Sequence, residues 1–133
     1  MFAKYRQSRQ KLGRAGEAAA CELLRCRGME ILARNWRCRA GELDIVALDG
    51  NEIVFAEVKT MRRKPGFLPS ANLSPRQRRR NFNAAKVYMR SLDIVGHPAR
   101  FDLIEATFRG PFLIRLVRHR DYLPQLPERE AAK

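Results

Sequence analysis

The chain has 133 residues, the size of one ordinary domain, and its 45% hydrophobic content can supply a single modest core. Its 27 Lys and Arg residues against 14 Asp and Glu residues give a net charge of +13, which favours a polyanionic partner, either nucleic acid or an anionic membrane surface. No apolar run approaches the roughly 20 residues that a membrane span needs, and the first residues lack the apolar core of a secretory signal, so we expect one cytoplasmic domain over residues 1–133 with no membrane association.

The N-terminal part of the chain predicts a helix and then a strand. The first fourteen residues carry five basic residues and no acid, and residues 1–11 are interpreted as a flexible basic arm. Apolar residues recur at helical spacing from Leu12 to Arg27, and Gly28 follows as a stop signal. The short apolar run between Met29 and Arg37 is typical of a strand.

Residues 41–59, with the sequence GELDIVALDGNEIVFAEVK, predict a β-hairpin. Two apolar runs flank the polar residues 49–51, which supply the turn. Both faces of each strand carry apolar residues, a pattern typical of strands buried on two sides. We therefore expect helices to cover the sheet.

The C-terminal half predicts a second helix and two more strands. Ser74 and Pro75 are an N-cap and a first helical residue, and Gln77 stands at capping-box spacing. Residues 100–108 and 112–117 predict strands, and the charged residues 123–133 predict a flexible tail. The predicted buried stripe of the second helix consists of Phe82, Ala85, Tyr88 or Met89, and Leu92.

An Asp, a Glu and a Lys interrupt the apolar strands of the hairpin. Glu57 and Lys59 share one strand face, because side chains alternate between faces, and Asp44 lies on the partner strand. Leaving either carboxylate buried and unpaired would cost several kcal/mol. A hard divalent cation neutralises both, and Mg²⁺ is our first choice. Such a site would polarise a phosphate and activate water, with Lys59 orienting the water or stabilising the developing charge.

The distance between the two carboxylates depends on the turn. A two-residue turn at 50–51, or a four-residue loop over 49–52, places Asp44 directly opposite Glu57. A turn at 49–50 makes the two carboxylates diagonal neighbours, which a cation can still bridge. Of the turns considered, only a three-residue loop would move the two carboxylates apart. The alternative without a metal is a salt-bridged Asp-Glu-Lys set at the end of the sheet.

Several short motifs follow one another along most of the chain. They are Gly16-Glu17-Ala18-Ala19, Arg34-Asn35-Trp36-Arg37, the GELDIVA of residues 41–47, the FAEVK of residues 55–59, Ala84-Ala85, Tyr88 and Arg100-Phe101-Asp102. In this order they resemble the YraN family and, more widely, the PD-(D/E)xK nuclease superfamily, especially archaeal Holliday-junction resolvases. One departure is Leu43, which stands where the superfamily's name-giving proline precedes the aspartate.

This resemblance implies a restriction-endonuclease-like α/β fold, in which a central mixed β-sheet is flanked by helices. It implies that Asp44 and Glu57, with the Val58 carbonyl, bind Mg²⁺ or Mn²⁺. It also implies that Lys59 is the catalytic lysine and that Glu17 joins the site from the first helix. Resolvase-like nucleases commonly pair their sites across a two-fold axis, so a homodimer is a further hypothesis.

A basic segment follows the predicted catalytic lysine. Nine Lys and Arg residues and no acid lie between Thr60 and Leu92, and residues 61–73 predict a loop of the length of functional lids. Such residues bind phosphates of nucleic acids, and the resulting affinity falls steeply as the salt concentration rises and discriminates little between base sequences. The predicted nucleic-acid contacts are Arg62, Arg63, Lys64, Arg76, Arg78, Arg79 and Arg80.

Together these features predict a Mg²⁺-dependent endonuclease that cleaves phosphodiesters in DNA, with branched or damaged duplex as the candidate substrate. The alternative is a non-catalytic nucleic-acid-binding module that keeps the nuclease fold and uses its basic surface alone.

Overall fold

The computed structural model describes residues 2–63 and 73–122. The predicted tail 123–133 and residues 64–72 of the predicted loop, Lys64 among them, lie outside the described residues. Each element predicted from the sequence is present. In chain order they are α1 (Phe2–Cys26), β1 (Glu30–Cys38), β2 (Gly41–Asp49), β3 (Glu52–Arg62), α2 (Pro75–Ser91), β4 (Ala99–Arg109) and β5 (Phe112–His119).

The five strands form one mixed sheet in the order β1-β2-β3-β4-β5. β3 and β4 run parallel, and the other neighbouring pairs are antiparallel. A parallel pair needs a crossover connection, and α2 lies in the connection between β3 and β4. The expected α/β architecture with a mixed sheet is confirmed.

The two helices cover opposite faces of this sheet. Along β2, Ile45 and Ala47 pack on the α1 side, whereas Val46 packs on the α2 side. β3 alternates in the same way, with Val54 towards α1 and Phe55 towards α2. Both faces of the central strands are therefore buried, as the apolar pattern predicts.

The β2–β3 turn has the two-residue form. Asp49 pairs with Glu52, so residues 50 and 51 make the turn. Gly50 has a φ of +60°, a left-handed conformation that glycine adopts without the steric cost of a Cβ. This pairing selects the register in which Asp44 faces Glu57.

A buried arginine from β4 holds the same turn. Arg100 is 3% exposed and donates hydrogen bonds to Asp49, at 3.0 Å, and to Glu52. It also donates to Asp102 at 3.1 Å, and Asp102 accepts a second bond from Arg118. Burial disfavours the charge of Arg100, but these carboxylates outweigh it and raise the pKa of the guanidinium above its ordinary value.

α1 is longer than the sequence analysis predicts. It begins at Phe2 rather than Leu12, so residues 2–11 are helical and do not form a separate arm. These residues contain neither Gly nor Pro, and the modest cost of Gly13 inside a helix does not end it. Among the described residues, neither helix is long and apolar enough to cross a membrane.

α2 begins at Pro75 as predicted, with the Oγ of Ser74 accepting a hydrogen bond from the Gln77 backbone N–H at 3.1 Å. Its C-terminal end differs from the prediction, because the helix ends at Ser91 and leaves Leu92 52% exposed. Its buried side also includes one polar residue, Asn81, which the apolar pattern does not reveal. The buried residues of α2 are Asn81, Ala84, Ala85 and Tyr88.

Candidate metal centre

The β2–β3 hairpin brings two carboxyl groups into contact. The last backbone pair of the two strands joins Ile45 and Ala56, and the next position in the same register places Asp44 opposite Glu57. There the Oδ2 of Asp44 accepts a hydrogen bond from the Val58 N–H at 2.9 Å. The carboxyl groups of Asp44 and Glu57 also perturb the pKa of each other, as groups in close proximity do. The direct-contact geometry among the predicted alternatives is therefore the one the structure adopts.

A cavity of about 430 Å³ opens over this pair. All the predicted catalytic and metal-binding residues line it: Glu17, Asp44, Glu57, Val58 and Lys59. The pair is only partly exposed, whereas Lys59 is exposed and accessible from solvent. The wall is completed by Gly13, Glu42, Thr60, Leu73, Ser74 and Gln77.

Glu17 reaches the cavity because α1 crosses β3 at very short range. A Cβ placed on Gly16 would lie 2.2 Å from the Oγ1 of Thr60, far inside van der Waals contact. A larger residue at this crossing therefore requires a shift of the Thr60 side chain or of one of the two elements. The neighbouring residue, Glu17, is thereby held at the cavity wall.

Burial perturbs both carboxyl groups of the pair. It raises the pKa of Asp44, against the opposing hydrogen bonds from Val58 and Glu57, and the nearby charges of Glu17 and Glu42 raise it further. Burial also raises the pKa of Glu57, and the charge of Asp44 raises it further. The total rise is larger for Glu57 than for Asp44. The two carboxyl groups therefore retain a proton unless a cation replaces it.

The donor set suits a hard divalent cation. Mg²⁺ is commonly held by one or two carboxylates with water and substrate phosphates as the remaining ligands. Asp44 and Glu57 supply the two carboxylates here, and Val58 adjoins them in the cavity wall. In the described part of the chain, no group of three or more His, Cys, Asp or Glu side chains is placed to share an ion. A larger all-protein cage is thus absent from these residues, which favours an ion that keeps several waters.

Gln77 is a site residue that the sequence reasoning did not identify. Its Nε2 donates to the Oε1 of Glu57 at 3.1 Å and to the Oδ1 of Asn81 at 3.3 Å. The capping-box prediction for Gln77 is therefore only half right: its backbone N–H meets Ser74, but its side chain turns to the carboxylate. The sequence marks Gln77 as a helix-start residue and gives no sign that this turn of α2 lies beside β3.

The predicted nucleic-acid contacts are spread over two elements. Arg62 and Arg63 are exposed at the end of β3. Arg78 differs from its neighbours on α2, because it is half-buried and its guanidinium meets Tyr122, with Nη2 3.5 Å from the hydroxyl. The exposed arginines of α2 in this set are Arg76, Arg79 and Arg80.

The sequence matches a described protein family over the same region. The family model "Uncharacterised protein family UPF0102" matches residues 16–106, a span that includes every cavity residue except Gly13. A UPF0102 protein of Streptomyces griseus is 48% identical over 102 residues, which cover 73% of this chain and 82% of the relative. A UPF0102 protein of Oleidesulfovibrio alaskensis is 48% identical over 95 residues, which cover 71% of this chain and 47% of that longer relative. A third, from Acidothermus cellulolyticus, is 56% identical over 71 residues, 53% of each chain. The chain therefore belongs to the UPF0102 family, which is the YraN family that its motifs resemble.

Proposed function

We propose that this protein is a Mg²⁺- or Mn²⁺-dependent endonuclease that hydrolyses phosphodiester bonds in DNA, with branched or damaged duplex as the candidate substrate. The observation that carries the proposal is the contact between Asp44 and Glu57 in a cavity that also contains Lys59. Two adjoining acids beside a lysine, on a chain of net charge +13, favour an anionic substrate that binds together with a cation.

A bound Mg²⁺ would polarise the attacked phosphate and favour ionisation of the water that attacks it. Asp44 and Glu57 would hold that ion, with the Val58 carbonyl as a further oxygen ligand. Glu17 would position water from the α1 side of the cavity. The exposed Lys59 ammonium would orient the attacking water or offset the negative charge that develops on the phosphate oxygens.

The reaction is a hydrolysis that balances without a further reactant. The water oxygen forms a bond to phosphorus, the bond from phosphorus to one ester oxygen breaks, and that oxygen leaves with a proton as an alcohol. The exposed arginines, Arg62, Arg63, Arg76, Arg79 and Arg80, would hold the neighbouring phosphates. Such contacts fix the position of the strand and carry little sequence information.

The proposal is tested by incubating labelled four-way junction, flap, duplex and single-stranded DNA with the protein and Mg²⁺ or Mn²⁺. We expect the wild type to cleave at least one of these substrates. Asp44→Asn, Glu57→Gln and Lys59→Ala should each lower the rate by on the order of 100-fold or more, because the first two remove a carboxylate that would hold the ion and the third removes the ammonium beside the reacting phosphate.

Matched controls are Asp93→Asn and Glu30→Gln, which make the same chemical changes at exposed positions outside the cavity. Both controls should cleave at the wild-type rate. Equal activity in the wild type and in the three cavity variants would contradict the proposal, since it would trace the cleavage to a contaminant or to another site.

A second candidate function is a nucleic-acid-binding module without catalysis. It is favoured by the small donor set, because the described residues bring only two carboxylates into direct contact. The two candidates differ in metal binding. A ligand that binds the folded state raises the melting temperature by mass action, so the endonuclease should melt higher in Mg²⁺ or Mn²⁺ than in EDTA, and the binding module should not.

A further inference from the structure

The side-chain amide of Gln77 joins the candidate metal centre to the interior of the α2 side. Its nitrogen carries two hydrogens and meets two acceptors, the Oε1 of Glu57 at 3.1 Å and the Oδ1 of Asn81 at 3.3 Å. With both hydrogens engaged, the amide is fixed in the orientation that presents a donor to Glu57. The Ser74 cap holds the backbone of the same residue.

Asn81 lies four residues further along α2 and is 1% exposed. Its Oδ1 accepts from Gln77, but no acceptor among the described residues lies within hydrogen-bonding distance of its Nδ2. A buried amide with an unsatisfied N–H destabilises the folded state relative to an apolar side chain of similar size. The residues after it on the same helix side, Ala84 and Ala85, are small and apolar. Folding alone therefore does not account for an asparagine at this position.

We propose that Gln77 and Asn81 are positioning residues for Glu57, an inference that rests on the proposed metal-dependent function. Gln77 holds one oxygen of the carboxylate, so the group cannot rotate away without breaking this bond, and its remaining lone pairs stay available to the cation. Asn81 acts one step further back by fixing the Gln77 amide. Hydrogen bonds that orient a ligand in this way commonly change metal affinity or activity about 10–100-fold.

The same relay couples the metal centre to the substrate surface. Gln77 lies in the first turn of α2, beside the exposed Arg76 and next to the turn that carries Arg79 and Arg80. Phosphate contacts on these arginines and the hydrogen bond to Glu57 therefore belong to one rigid helical segment. The helix that holds the DNA would also hold the Glu57 ligand.

The test measures Mn²⁺ binding to the full chain, without DNA, by the electron paramagnetic resonance signal of free Mn²⁺. Asn81→Leu replaces the buried amide with an apolar side chain of similar volume, and Gln77→Met removes the donor at similar length and helix propensity. We expect both variants to bind Mn²⁺ about 10-fold more weakly than the wild type. Asn83→Leu makes the Asn81 substitution two residues away on the same helix and should bind as the wild type does.

The melting temperatures of the variants distinguish a positioning role of Gln77 and Asn81 from a purely structural one. In EDTA, Asn81→Leu should melt at or above the wild-type temperature, because it removes an unsatisfied buried group, while its Mn²⁺ affinity falls. On a cleaved DNA substrate, both variants should lower kcat at saturating Mn²⁺ with little change in the KM for DNA.

Unchanged Mn²⁺ affinity in both variants would overturn the inference, even if the wild type cleaves DNA. A parallel loss of stability and affinity in both variants would also overturn it, because it would assign the relay a purely structural role. If the wild type and variants differ in Mn²⁺ affinity as expected but no DNA is cleaved, the relay stands and the proposed endonuclease fails. A wild type that does not bind Mn²⁺ would overturn both.

Discussion

The carboxyl pair of Asp44 and Glu57 destabilises the protein when no cation is bound. Both groups lose water on folding and lie against each other, and only part of that loss is recovered through the hydrogen bonds from Val58 and Gln77. The raised pKa of both groups expresses this cost, because the folded protein favours their protonated forms. A cation that binds to this pair would therefore displace the proton that the two groups retain.

A first prediction concerns stability against pH in EDTA. Glu57 has a raised pKa in the folded state, so between about pH 5 and pH 9 the folded protein keeps a proton that the unfolded chain, with a carboxyl pKa of about 4, has released. The stabilisation from that proton is fully present at low pH and is lost as the pH rises. The free energy of unfolding of the wild type should therefore fall with rising pH relative to Glu57→Gln, as measured by urea unfolding.

The exposed control Glu30→Gln should follow the wild-type pH dependence, since its carboxyl group lies outside the cavity. If the wild type and Glu57→Gln instead keep a constant difference in unfolding free energy across this pH range, folding does not raise the pKa of Glu57 and the prediction is wrong.

At the scale of elements, the close crossing of α1 over β3 decides whether Glu17 belongs to the site. A Cβ added to Gly16 would lie 2.2 Å from the side-chain oxygen of Thr60, whereas a Cβ added to Gly13, one turn earlier, would have nothing within 4 Å. A methyl group added to Gly16 would therefore clash with Thr60, whereas one added to Gly13 would meet no other residue. This contrast makes them a matched pair for mutation.

Gly16→Ala should destabilise the fold by about 1–3 kcal/mol, because the added methyl has to displace the Thr60 side chain or push α1 and β3 apart. It should also weaken Mn²⁺ binding by displacing Glu17. Gly13→Ala should be neutral or stabilise by up to about 1 kcal/mol through helix propensity. Urea unfolding checks both values, and adding Thr60→Ala to Gly16→Ala should restore part of the loss. Equal effects of the two alanines would contradict the crossing geometry.

The helices and strands could be predicted from local sequence patterns, but the turn geometry and the contacts between elements could not. Alternating apolar residues indicate the hairpin but leave four turn geometries open, and the one adopted is held by Arg100, which lies 48 and 51 residues from its partners in the turn. Gln77 reaches Glu57 across 20 residues in the same way. Such contacts depend on the parallel crossover, which leaves no local signature. The start of α1 differs from the prediction because residues 2–11, although strongly basic, contain neither Gly nor Pro and so keep their helix propensity.

At the scale of the whole molecule, the acidic cavity contrasts with the basic charge of the chain. The net charge is +13, yet four acids line the cavity: Glu17, Glu42, Asp44 and Glu57. Exposed arginines lie outside it, on the end of β3 and on α2. If the partner is a polyanion, as proposed, the net charge would attract it to the molecule, and a cation would offset the repulsion between its phosphates and the acidic cavity.

Two adjacent arginines offer a test of which ones contact DNA. Arg79 is exposed, whereas Arg78 is engaged with Tyr122. Arg79→Ala should weaken duplex binding and reduce the slope of log affinity against log salt by about one. Arg78→Ala should leave that slope near the wild-type value and lower the melting temperature instead. Fluorescence anisotropy over a series of KCl concentrations measures the slope, and equal slope changes in the two variants would refute the distinction.

The sheet order also has a consequence for how the protein folds. β1, β2 and β3 are joined by short turns, so their pairing closes small loops, whereas β3 meets β4 only after residues 63–98 have been spanned. Contacts that are close in sequence form faster than contacts that are distant. We therefore expect the acidic pair to form with the meander, ahead of the crossover that brings Gln77 and Arg100.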